Sequence, residues 1–133
     1  MAVPAERLRS LGGFDTSFPF AAGEDRDLCA RWLASGYSLC EVPEAIVRHL
    51  HPMELRRFCL VHHRYGRGAR RFRRKAAARR GGRVQLEPTT FYLGLVLTPF
   101  SSSSLTRAPS LSMALLLSQI CHAIGYARER WSE

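Results

Sequence analysis

The sequence predicts a mostly helical chain with one short pair of strands, ending in apolar helices, and three observations predict it. Between Glu24 and Ala34, Leu28, Cys29, Trp32 and Leu33 recur at helical spacing behind an acidic first turn, and Gly36 follows as a C-terminal stop. "YSLCEV" and "AIVRHL" then alternate like short strands on either side of a turn at Pro43. Finally, the stretch from Ala108 to Ala127 contains no Asp, Glu, Lys or Arg.

With 133 residues the chain has room for one modest core. Its apolar content of 46% is that of a folded protein and excludes wholesale disorder. The net charge of +9 is unevenly placed. Residues 1–50 hold five Arg against seven acidic residues, whereas residues 51–87 hold twelve Arg or Lys against Glu54 and Glu87. These shifts divide the chain into a first zone over 1–52, a basic helix over 53–87 and a hydrophobic tail over 88–133. A concentrated basic segment calls for an anionic partner.

The basic segment, "ELRRFCLVHHRYGRGARRFRRKAAARR", reads as one long helix that Gly66 and Gly68 weaken and bend and that "RGGR" ends. Arg64, Arg67, Arg70, Arg71, Arg73, Arg74 and Lys75 have the charge to face phosphates, whether of nucleic acid or of lipid headgroups. No nucleic-acid motif accompanies them, so nucleic acid is not expected. An anionic membrane surface explains the charge and the apolar tail together. In the tail, Ser112, Ser118, Gln119 and His122 gather on one side of a helix, and Met113, Leu116, Leu117, Ile120, Ile124 and Ala127 fill the other. That pattern suits a helix lying on a membrane or packed on protein better than a lone span, although the uncharged stretch is long enough to cross a bilayer. The preceding "FYLGLVLTPF" is too short to cross and carries Pro99.

Cys29, Cys40, Cys59 and Cys121 show no metal-finger or redox spacing and read as reduced, partly buried thiols. No secretory signal is legible at the N-terminus, where Pro4, Glu6 and Arg7 interrupt any apolar run.

The string "LGGFDTSFPFAAGEDRDLCARWLASGYSLCEVPEAIVRHLHP" carries the chemistry. By itself an acidic helix start needs no function, because the helix dipole favours carboxylates there. The ordered set of a "GGFD" loop, "GEDRDL" opening a helix, "GY" ending it and "PEAIVRH" resembles the C-terminal half of the catalytic domain of inverting family 2 glycosyltransferases. The likeness runs from about Glu6 to Phe72. It implies the α/β class, as a C-terminal piece of a GT-A type nucleotide-sugar transferase domain. It also implies transfer of a sugar from a nucleotide-sugar donor to an acceptor hydroxyl, on a glycan or a lipid-linked acceptor, with inversion.

In such a reaction a base takes the acceptor's proton, and positive charge stabilises the departing nucleoside diphosphate. The resemblance maps the base to Asp25, gives Glu24 a part in orienting the acceptor, and places Gly12 and Gly13 beside the acceptor site. Asp27 and Arg31, also assigned to the substrate side, are spaced to pair and hold the helix start rigid. The resemblance further makes His49 a ligand of a divalent ion, Mg or Mn, on the donor diphosphate. His51, His62 and His63 fit no closed zinc site with it. An Asp-x-Asp-bearing nucleotide-binding half, which the family places before "GGFD", is expected to be missing, so the chain is expected to be inactive in isolation. Its place is then the cytoplasmic side of a membrane, peripheral or anchored. The rival expectation is a non-catalytic basic module that binds anionic membrane or nucleic acid.

Overall fold

The computed structural model describes residues 2–48, 54–80, 88–102 and 106–130. Among them the chain forms five helices: α1 (Ala5–Ser10), α2 (Glu24–Ala34), α3 (Leu55–Arg80), α4 (Thr89–Ser102) and α5 (Ala108–Arg130).

No strand occurs among the described residues, which corrects the α/β class and the strand pair expected from the sequence. Residues 37–42 form neither helix nor strand, with Leu39 and Val42 exposed. Past the Pro43 turn, Ile46 and Val47 are 78% and 73% exposed. The physical reason is that a two-stranded ribbon is marginal in water unless a third strand or a helix covers its apolar face. Here the helices pack on one another and leave that face open. His49 and Leu50, which close the second expected strand, lie outside the described residues.

The frame is a three-helix layer with α5 between α3 and α4. Contacts of Gly125 with His63 and of Glu129 with Arg67 put α3 and α5 parallel. The α4–α5 hairpin is antiparallel and is pinned where the Ser112 hydroxyl donates to the Val96 carbonyl at 2.8 Å.

α5 packs with its small and polar side inward. Ala108, Ser112, Ser118, Gly125 and Glu129 are buried, whereas Met113, Leu116, Ile120 and Ile124 are 44–66% exposed. Glycines make the α3–α5 approach possible. A Cβ built on Gly66 would stand 1.9 Å from the His122 carbonyl oxygen, and one on Gly125 would stand 1.9 Å from that of His63. The two glycines therefore bring the helix backbones together. Gly125→Val is expected to force them apart and cost about 1–3 kcal/mol or more, read as a lowered midpoint in urea denaturation.

The long basic helix turns one edge inward. Arg67, Arg71, Lys75 and Arg79 recur every four residues, so they form one ridge. Arg67 and Arg71 grip the buried Glu129 at 2.6 Å each. Arg71 also donates to the Ser17 carbonyl, Lys75 pairs with Asp15, and Arg79 pairs with Asp27. Phe20 lies under the guanidiniums of Arg64 and Arg67, at 5.2 and 4.8 Å from the ring centre. This ridge thus holds the loop that enters α2. The cations expected to face an outside anion are engaged within the fold: Arg67, Arg71 and Lys75 in ion pairs, and Arg64, Arg70 and Arg73 over the rings of Phe20 and Tyr126. Gly68 completes the seat, since a Cβ there would lie 1.8 Å from the Ala22 carbonyl oxygen.

Candidate active site

The site is built on the N-terminus of α2. Gly23 caps the helix in the left-handed region (φ 94°), so the chain can turn sharply against Gly68 and send Glu24 and Asp25 into the first turn. Below them, Leu28 and Trp32 are buried and fix the helix, and the Trp32 indole donates to the Ser38 carbonyl at 2.9 Å. The first-turn carboxylates therefore stand on a rigid element.

Glu24 and Asp25 open onto a cleft of about 430 Å3 bounded by the 21–26 turn, Tyr65 and Ala69 of α3, and His122 of α5. Asp25 is exposed, and one of its carboxylate oxygens accepts from the Arg26 backbone N–H at 2.7 Å. One carboxylate oxygen of Glu24, Oε2, is buried without a hydrogen-bond partner. Arg26 is exposed at the rim, with its guanidinium over the Phe72 ring at 5.0 Å. Burial pushes the His122 imidazole below its ordinary pKa, and the positive charges of Arg73, His62 and Arg26 push the same way. It is therefore neutral near pH 7 and can accept or donate one hydrogen bond in the cleft.

The other residues expected in the site fall elsewhere. Gly12 and Gly13, both with positive φ, make a tight turn after α1. The turn aims the Leu11 and Gly13 carbonyls at Arg31, which donates to each at 2.6 Å. Gly12, Gly13 and Arg31 line a second cleft of about 400 Å3 with Phe14 and Asp15. Arg31 lies six residues beyond Asp25, about 9 Å along the helix axis. Asp27 is fully buried between Arg31, at 2.8 Å, and Arg79. The pairing of Asp27 with Arg31 suggested by their spacing is thus present, and it ties α2 to the glycine turn. Hydrogen bonds from Lys75 and Ser17 hold the Asp15 carboxyl far below the usual carboxylate range.

The expected metal ligand His49, like His51, lies outside the described residues, and no step is assigned to it. Among the described residues no group of three or more His, Cys, Asp or Glu could hold a metal ion. The His62 ring lies against that of Phe58, tilted by 54° with centroids 4.3 Å apart, and His63 lines a separate cleft with Cys59 and Cys121. Burial lowers the pKa of both imidazoles, and for His63 nearby Arg128 and Arg67 add to the effect.

Sequence reasoning passed over two cleft residues, Tyr65 and His122. The signal for His122 was present in the polar side of α5, which it shares with Ser112 and Ser118 and which the structure turns toward the other helices. A scan against protein-family models, a search of curated proteins and a search of solved structures each find no match for the chain. By length and composition α5 is long and apolar enough to cross a membrane.

Proposed function

We propose that the chain supplies the acceptor-activating part of an inverting glycosyltransfer reaction at a membrane surface, with Asp25 as the general base. The observation that carries this reading is the placement of Asp25, exposed at the mouth of the cleft on a helix N-terminus that is itself anchored by buried side chains. The helix dipole favours the ionised carboxylate there. An acceptor hydroxyl in the cleft gives its proton to Asp25 as its oxygen bonds to the anomeric carbon of a nucleotide-sugar. The bond from that carbon to the diphosphate breaks on the opposite face, and the electron pair leaves with the diphosphate. Glu24 orients the acceptor, and Arg26 at the rim contributes positive charge toward the leaving group.

Nucleoside diphosphate release from UDP- and GDP-sugars is the measurement. Release that requires both this chain and a nucleotide-binding segment or subunit expressed with it supports the reading. Membrane binding without release in any such pairing refutes it and leaves the non-catalytic basic module.

Membrane association belongs to the same reading. The exposed apolar side chains of α5 continue onto α4, where Leu93 and Leu97 are 62% and 61% exposed. Because α5 packs along a helix carrying eleven Arg or Lys, it fits a peripheral position better than a crossing one. Burial of this face in lipid contributes roughly 25 cal/mol per Å2, which salt does not screen. Co-sedimentation with acidic liposomes is expected to keep a salt-resistant component that Met113→Asp combined with Ile120→Asp removes. Loss of all binding at high salt, or wild-type sedimentation of the double variant, would show that this face covers protein instead.

A further inference from the structure

We propose that Cys59 and Cys121 form a reversible dithiol–disulfide pair that ties α3 to α5 beside the cleft. The two thiols, far apart in sequence, line one cleft across the helix interface, and burial together with the neighbouring Cys59 pushes the Cys121 thiol up. Their register explains the meeting. Cys59 and Cys121 stand four residues before His63 and Gly125, where a Cβ on Gly125 would lie 1.9 Å from the His63 carbonyl oxygen. In parallel helices the cysteine pair therefore sits one turn from the tightest backbone approach. A disulfide needs Cα atoms only about 4.4–6.8 Å apart, closer than ordinary helix packing offers, and glycine at the crossing provides that closeness.

The pair is also reachable. Both thiols are half-buried and line a cleft of about 410 Å3. Arg56 and Arg128 face the same cleft, and their guanidiniums attract an anionic small disulfide. With glutathione disulfide as oxidant the chemistry balances. The thiolate of one cysteine attacks a glutathione sulfur, breaking its S–S bond and releasing one glutathione. The second cysteine then displaces the other glutathione from the mixed disulfide. One S–S bond forms within the chain, and the two thiol protons leave on the two glutathione molecules. His122 follows Cys121 directly and lines the Glu24–Asp25 cleft, so the bond fixes that wall of the cleft.

The test equilibrates the full chain in glutathione buffers from reducing to oxidising, blocks free thiols with a maleimide, and maps peptides by mass spectrometry. The expected result is a Cys59–Cys121 peptide short of two hydrogens, formed at ratios that leave the exposed Cys40 unmodified, with a thermal midpoint raised until reductant is added. Cys59→Ser and Cys121→Ser each remove the cross-link, and a variant with Cys29 and Cys40 both changed to Ser keeps it. Should the single variants fail to fold by circular dichroism, that double variant carries the test alone. Separate modification of Cys59 and Cys121 by glutathione or maleimide, with no cross-link once Cys40 is fully oxidised, overturns the proposal.

Discussion

Replacing Asp25 by Asn is expected to slow sugar transfer about 10²–10⁴-fold while leaving nucleotide-sugar binding nearly intact, the mark of a lost general base. The amide keeps the shape of the side chain but cannot take the acceptor's proton. Asp25 is exposed, and its hydrogen bond is local, to the next backbone N–H at 2.7 Å, so the fold loses little. The measurement compares kcat and KM for the donor in the complemented enzyme and adds far-UV circular dichroism as a folding control. Asp27→Asn provides the contrast. Two residues along, Asp27 is fully buried between Arg31 and Arg79, and its loss is expected to appear first as a lowered unfolding midpoint. Equal rates for wild type and Asp25→Asn would remove the base from the proposal.

Glu129→Ala is the largest expected change in stability. Glu129 is fully buried with Arg67 on one carboxylate oxygen and Arg71 on the other. Removing it leaves two guanidiniums, each only about one-fifth exposed, without their counter-charge. Breaking a buried pair in this way costs about 3–5 kcal/mol, a large share of the stability of a small domain. The same site makes the fold acid-sensitive. Burial pushes the Glu129 carboxyl up, but the hydrogen bonds and charges of Arg67 and Arg71 outweigh it and hold the carboxyl below its ordinary value of 4.5. A carboxyl depressed in the folded state contributes stability above its unfolded pKa and loses it as pH falls through the folded one. Asp15, held down by Lys75 and Ser17, acts in the same direction. Urea midpoints are therefore expected to fall as pH drops below about 6.5, where the depressed imidazoles of His62, His63 and His122 take up protons more readily in the unfolded chain. They are expected to fall further below about pH 4.5, this second fall being shallower in Glu129→Ala. A midpoint for Glu129→Ala equal to wild type at pH 7 would show that the buried charge cluster contributes no net stability.

Much of the local structure was legible in the sequence. The spacing of Leu28 and Trp32 and the stop at Gly36 gave α2 its bounds, and the i, i+4 spacing of Asp27 and Arg31 gave their pair. The division of α5 into polar and apolar sides was equally plain, because helical periodicity is written in neighbouring residues. Its orientation was not. Periodicity identifies two faces but not which one meets a partner, and here Ser112, Ser118 and Gly125 turn inward while the larger apolar residues stay exposed. The strand pair failed for a related reason: alternation in "YSLCEV" reports a ribbon's preference, but a ribbon persists only with a cover that the helices do not provide.

By itself, then, the sequence determined the positions of the long helices, the acidic first turn of α2 and the concentration of charge in α3, because each depends on residues within a few turns of one another. Only the tertiary structure decided that the ridge of Arg67, Arg71, Lys75 and Arg79 faces inward, and that Tyr65 and His122 close the cleft opened by Glu24 and Asp25. It also decided that Gly66, an apparent weak point in its helix, and Gly125 are where α3 and α5 touch. Such pairings join residues some 50–60 positions apart, and they follow from how closely the backbones approach rather than from any local pattern in the chain.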